Sequence, residues 1–195
     1  MTAIIDYDAG NIRSVTNALD RLGAGYVLTR DAATIIAADR VILPGVGNAA
    51  AAMASLRATG LDSVIKSLRR PVLGICVGLQ LMCRRSEEGD AQCLGIFDTD
   101  VTRFAPEHGV KVPHMGWNSI SNLESKLFKG MPDGQYVYFV HSFRAGLCTD
   151  TIATCRHGSD LFSAALKYEN FYGTQFHPEK SGSVGETILK NFLAL

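Results

Sequence analysis

"RRPVLGICVGLQLMCRR", residues 69–85, is the stretch from which the rest of the chain can be read. Its apolar run at 72–75 is long enough for a buried strand, and after Cys76 and Gly78 the apolar and polar positions take helical spacing. Glycines stand two residues to either side of Cys76, as they do where a strand turns into a helix too sharply for bulkier neighbours. A thiol at such an elbow projects over the sheet edge, and the positive end of the following helix favours its thiolate. A buried structural cysteine in a tight turn fits the same residues.

Working outward, "TAIIDY" at 2–7 reads as a short apolar strand running into the turn residues Asp8, Gly10 and Asn11. A helix at about 12–22 carries Ile12, Val15, Ala18, Leu19 and Leu22 on one stripe and stops at Gly23 and Gly25. Strands follow at 26–29 and, after a short polar segment, at 40–43, the latter ending in Pro44, Gly45, Val46 and Gly47. Residues 49–56 and 61–68 read as crossover helices. Near-continuous apolar strands alternating with helices require a parallel sheet covered on both faces.

From Glu87 the pattern changes. Short strand-like runs at 94–97, 100–104 and 110–113 are separated by Gly, Asp and Pro, a more antiparallel character. A short helix is expected at 123–128 and strands at 135–143, 151–157, 162–168 and 171–175, with a tight turn at Glu169 and Asn170. The terminal helix, 184–194, turns Val184, Ile188, Phe192 and Leu193 to the core. With no repeat, linker or low-complexity tract, residues 1–195 are expected to form a single domain: a three-layer α/β/α fold, mostly parallel, with antiparallel additions in its second half.

The charge is balanced, 19 basic against 19 acidic residues, so no whole-chain field recruits nucleic acid or a membrane surface. Five cysteines with no CxxC pair suit a reducing cytoplasm and argue against a structural metal site. Neither a basic leader nor an apolar run of membrane-spanning length is present, and a soluble cytoplasmic protein is expected.

A cysteine nucleophile needs a base, and of five histidines only His177, in "GTQFHPEKSG", has a carboxylate two residues on, Glu179. Alternate strand residues point the same way, but Pro178 interrupts the ladder, so the spacing permits a Glu179 to His177 hydrogen bond without requiring it. A capped turn before the last helix fits equally, and spacing goes no further. Cys83, seven residues past Cys76 on the same helix, reads as core.

"GICVGLQ" at 74–80 and "FHPEKS" at 176–181 resemble the nucleophile and base motifs of class I, triad-type glutamine amidotransferases. "IIDYDAGN" (4–11), "LPGVGNAAAAM" (43–53), "PHMGWN" (113–118) and "YFVHSF" (138–143) narrow the resemblance to the glutaminase-subunit family of imidazole glycerol phosphate synthase, over the whole chain. The resemblance implies a flavodoxin-like fold, no cofactor and no metal. It implies that Cys76 attacks the glutamine amide, His177 moves the proton and Glu179 orients His177. Backbone N–H groups of Val77, Val46 and Gly47 would bind the oxyanion. Gln80, His141, Ser142 and Phe143 would hold the substrate's amino-acid end, although a solvent-facing Gln80 and a satisfied strand His141 fit the residues as well. Asn11, Trp117 and Asn118 would lie toward a cyclase subunit, a (β/α)8 barrel in a heterodimer. That partner would take the ammonia and make imidazole glycerol phosphate and AICAR from a phosphoribulosyl formimino aminoimidazole carboxamide ribonucleotide.

The chain departs from the family after "PGVG", where an aromatic is common and this sequence has "NAAAAM". Altered packing of that helix is therefore expected, with the backbone donors intact. Other triad glutaminases, a non-catalytic subunit of the same fold and a cysteine hydrolase are the competing readings. The first should lack "PHMGWN" and the second should lack a triad residue.

Overall fold

The computed structural model describes residues 1–7 and 12–195. Its main sheet has seven strands in the order β11, β12, β13, β4, β3, β1, β2. β1 (Thr2–Ile5), β2 (Tyr26–Thr29), β3 (Arg40–Leu43), β4 (Val72–Ile75) and β13 (Phe171–Thr174) run parallel, and β12 (Asp160–Tyr168) and β11 (Thr151–His157) add antiparallel strands at one edge. β1, β4 and β13 are buried along their whole length, which is why they read as unbroken apolar runs.

Helices α1 (Ile12–Arg21), α2 (Ala32–Ala37), α3 (Ala49–Ala58), α4 (Leu61–Ser67), α5 (Val77–Met82) and α6 (Gly182–Leu193) flank the sheet, giving the expected three-layer α/β/α fold. α1 buries Val15, Ala18 and Leu19 from its predicted stripe. α6 buries Ile188 and Phe192 as expected and Leu189 as well, while Val184 and Leu193 pack against the core half-buried. The polar segment before β3 contains α2, which the hydrophobic pattern alone did not reveal; Asp31 caps it by accepting from the Thr34 N–H at 2.8 Å.

The second half forms two smaller sheets. β5 (Arg85–Ser86), β6 (Ala91–Gln92), β7 (Asp100–Arg103) and β10 (Phe143–Ala145) make one, and β8 (His114–Ile120) pairs antiparallel with β9 (Gln135–His141) in the other. The run expected as one strand over 135–143 therefore breaks at Ser142 and serves two sheets. The strand expected at 94–97 is not one: the N–H groups of Leu94, Gly95 and Ile96 bond to the carbonyls of Leu81, Cys83 and Met82, closing the end of α5 instead of joining a ladder. Val110 pairs only in an isolated bridge with Glu107, so 110–113 is no strand either. The helix expected at 123–128 shrinks to a single 3-10 turn, Lys126–Phe128.

Register fixes the site. Leu43, Gly74 and Gly173 lie in one row across β3, β4 and β13, so the segments leaving those three parallel strands emerge side by side at one sheet edge. They carry residues 44–47, Cys76 and His177. Carboxyl-terminal strand edges are where open α/β sheets place their ligands.

Candidate active site

Cys76 joins β4 to α5 with φ 55° and ψ −108°, a conformation that non-glycine residues rarely adopt. Its N–H donates to the Thr174 carbonyl at 2.7 Å and its own carbonyl accepts from Gln80 N–H at 3.2 Å, so the strained residue is tied both to the sheet and to the first turn of α5. The turn closes only because its neighbours lack side chains. A Cβ on Gly78 would lie 2.0 Å from the Leu43 carbonyl oxygen, and one on Gly45 would lie 2.2 Å from the Gly78 nitrogen. The sulfur of Cys76 stays at the surface of a cleft of about 290 Å³ that also holds Val46, Gly47, Val77, Gln80, Glu88 and His177. Cys83, by contrast, is fully buried, as expected of a core residue.

The spacing left the Glu179 to His177 contact open, and the structure makes it. A 3-10 turn at Pro178–Lys180 brings Glu179 Oε1 to 2.8 Å from His177 Nδ1, with both side chains buried. The carboxylate accepts from Nδ1–H, which leaves Nε2 for the cleft, where it has no hydrogen-bond partner. Burial opposes charge on His177, but Cys76 and Glu179 outweigh it and raise the imidazole from its ordinary range to about 10. An imidazole in this setting holds a proton beside the sulfur. His177 is itself fixed by its N–H, which donates to the Tyr138 carbonyl of β9 at 2.9 Å.

The segment after β3 is pinned at both ends. The Tyr7 hydroxyl donates to the Pro44 carbonyl at 2.6 Å, and burial together with neighbouring Cys76 raises the Tyr7 phenol far above its ordinary range, so it remains a donor. At the other end Glu88 Oε2 accepts from the Ala49 N–H at 2.8 Å, while Asn48 caps α3 through Ala51 N–H. Val46 and Gly47, the predicted oxyanion donors, lie between these anchors and line the cleft with Val77; Gly47 has φ 90°. The alanine-rich start of α3 also has its explanation. A Cβ on Gly89 would lie 2.6 Å from Ala50 Cβ, so the Glu88 turn rests directly on Ala50, where an aromatic would push it away.

Gln80, expected on the residues alone to face solvent, is buried, and its Nε2 donates to the Phe143 carbonyl at 2.9 Å and to Gln175 Oε1 at 3.0 Å. Ser142 and Phe143 line the cleft beside it. His141 lines the cleft too, but its ring is committed elsewhere: Nδ1 lies 2.8 Å from the Phe143 carbonyl and Nε2 lies 3.0 Å from His114 Nδ1. A carbonyl only accepts, so His141 Nδ1 is the donor, its Nε2 accepts from His114 Nδ1–H, and His114 Nε2 accepts from Asn118 Nδ2 at 3.1 Å. Burial lowers His141 to about 3 and His114 to about 4, so both rings are neutral at pH 7.

Asn118 therefore spends its amide internally, donating also to the Arg156 carbonyl at 2.9 Å, whereas Trp117 is 55 % exposed. Asn11 lies outside the described residues. Glu88, Tyr7 and Gln175 were missed by sequence reasoning. Glu88 lies twelve residues past Cys76 in a turn, Tyr7 looked like the end of a strand, and nothing in the spacing linked Gln175 to residue 80. Among the described residues no group of His, Cys, Asp and Glu is arranged to hold a metal ion.

A cysteine on a strand-to-helix elbow, a carboxylate-oriented imidazole and a pinned loop of backbone donors make a cysteine acyl-transfer site. The model of the glutamine amidotransferase class-I family matches residues 3–195, and the chain belongs to that family. It is thus an enzyme that draws ammonia from glutamine. It is 57 % identical over 194 residues to the imidazole glycerol phosphate synthase subunit HisH of Bacteroides thetaiotaomicron, covering 99 % of this chain and 98 % of that one. The subunit of the same name from Bacteroides fragilis is 59 % identical at the same coverage, and that from Yersinia pseudotuberculosis 46 % identical over 98 % of each chain. Among solved structures, a glutamine amidotransferase superposes with a TM-score of 0.75 at 18 % identity, covering 98 % of this chain and 97 % of that one. Another from Thermotoga maritima gives 0.66 at 16 % identity, covering 99 % and 82 %. These two establish the shared fold.

Proposed function

We propose that the chain hydrolyses L-glutamine through Cys76, His177 and Glu179, and passes the ammonia to a cyclase partner in histidine biosynthesis. The reading is carried by the buried His177–Glu179 pair set against Cys76 at one cleft. The sulfur attacks the side-chain amide carbon, the proton held on His177 Nε2 leaves with ammonia, and water then releases glutamate from the thioester as His177 takes the water's proton. N–H groups around Val46, Gly47 and Val77 receive the charge on the tetrahedral oxygen. The Glu88 carboxylate, in the same cleft, suits the substrate's ammonium group, and Lys180 suits its carboxylate.

The partner would be a (β/α)8 barrel, joined to this chain as a heterodimer. Support comes from the β8–β9 ribbon, where strand alternation turns His114 and His141 inward and Met115, Trp117 and Tyr136 outward, these three being 55–63 % exposed. The ribbon reaches the nucleophile, since the Cys76 thiol donates to the Val140 carbonyl at 3.9 Å. A partner seated there would meet ammonia close to where it forms, before water can protonate it. The cytoplasm is the compartment we propose, since all five cysteines are free thiols.

Glutamine-dependent synthesis by the reconstituted complex should vanish in Cys76→Ala while synthesis from added ammonia persists. Glutamine use by that variant would sink the reading. Glutaminase activity of the chain should rise when the cyclase and its nucleotide substrate are added, and no stimulation would exclude that partner.

A further inference from the structure

Gln175 is fully buried, is not part of the cleft lining, and places its Nε2 3.7 Å from Cys76 Sγ. Which end of this amide faces the sulfur is decided by its neighbours. The Phe143 carbonyl can only accept, so the Gln80 atom 2.9 Å away from it is nitrogen. The Gln175 atom 3.0 Å from that nitrogen must then accept, and is oxygen. The other Gln175 terminus is the amide nitrogen, turned to the sulfur.

We propose that Gln175 is the fixed N–H donor to the Cys76 sulfur, held nitrogen-first by Gln80 as a positioning residue, and that it favours the thiolate over the thiol. This rests on Cys76 being the nucleophile. The sulfur is anionic twice in the reaction, before the C–S bond forms and the amide C–N bond breaks, and again when water has added to the thioester and the C–S bond breaks. A donor aimed at sulfur from outside the substrate's cleft acts at both points and leaves substrate affinity alone. It also gives Gln80 a second task. Its Nε2 orients Gln175, and because the Phe143 carbonyl it uses is the one that accepts from His141, the same anchor ends the chain from Asn118 through His114.

The test is alkylation of Cys76 by iodoacetamide across pH, read by peptide mass mapping so that the other four thiols do not confuse it, together with glutaminase kinetics. Loss of glutaminase on alkylating the wild-type chain at Cys76 checks the nucleophile independently of Gln175. Gln175→Met, unbranched and apolar, should slow Cys76 alkylation at pH 7 about tenfold, move its pH profile upward, and lower kcat about tenfold with KM unchanged. Gln80→Met should slow alkylation similarly while also moving KM, and the double variant should be no slower than either alone. A folded Gln175→Met with the wild-type alkylation profile overturns the proposal. If that variant does not fold, wild-type alkylation in Gln80→Met overturns it, and additive effects in the double variant would show that the two amides act separately.

Discussion

His177 Nδ1 and Glu179 Oε1 lie 2.8 Å apart with both side chains buried, on a 3-10 turn that sits directly after the sheet edge carrying Cys76. Glu179 does two things through that contact: it fixes which imidazole nitrogen faces the cleft, and it holds the charge that forms on the ring. Glu179→Gln keeps the shape and loses both, because an amide can donate to Nδ1 and leave the wrong tautomer. Turnover of glutamine should fall about 10²–10⁴-fold, with synthesis from added ammonia unaffected. Steady-state glutaminase kinetics would check this, and a loss of less than tenfold would contradict the orientation argument.

The elbow itself makes a stability prediction. A Cβ on Gly78 meets the Leu43 carbonyl oxygen at 2.0 Å, and a backbone atom at the end of a buried strand, held on both sides of its sheet, cannot swing aside as a side chain would. Gly78→Ala should therefore destabilise the chain by about 3 kcal/mol, the upper end of overpacking costs, measured by urea denaturation. Gly23→Ala, where nothing lies within 4 Å of the added Cβ but φ is +64°, should cost only about 1 kcal/mol.

His141 predicts how stability responds to acid. Its folded pKa is about 3 because burial disfavours the charge, against about 6.5 in the unfolded chain. The unfolded state therefore binds the extra proton first, so the contribution is full above pH 6.5 and is lost as pH falls. At pH 5 the loss amounts to about 2 kcal/mol relative to pH 7.5. His114 acts in the same direction. The raised His177 has the opposite sign: its contribution is full below pH 6.5 and disappears as pH climbs toward 10. Urea titrations from pH 5 to pH 9 should show a maximum between these limbs, and His141→Asn, less stable at pH 7.5, should have a flatter acid limb.

Trp117 packs edge-on against Tyr138, lies beside Gly182 and leaves more than half of its surface to solvent. Trp117→Ala should change the stability of the isolated chain by no more than about 0.5 kcal/mol. The same change should weaken association with the cyclase by about 1–4 kcal/mol, as loss of a central aromatic anchor does. Calorimetry of the two chains would decide, and unchanged affinity would remove the β8–β9 ribbon from the interface.

The parallel half of the fold was open to reading because its strands are buried on both faces and its crossover helices carry one apolar stripe, patterns that are local to a few residues. Where backbone groups found partners far away, local pattern failed. Residues 94–97 look like a strand and instead close the end of α5, and α2 hides in a polar segment that its Asp31 cap holds together. The order of residues in the chain was enough to single out Cys76 as the candidate nucleophile, the sharp turn between its flanking glycines and the carboxylate two places past His177. Only the tertiary structure decided that His177 Nδ1 meets Glu179, that Tyr7 and Glu88 pin the loop between them, and that Gln80 turns inward to Gln175 rather than out to water. The reason is that a side chain's role depends on which donors and acceptors surround it, and residues about one hundred positions apart become neighbours only when adjacent parallel strands bring their ends to one edge.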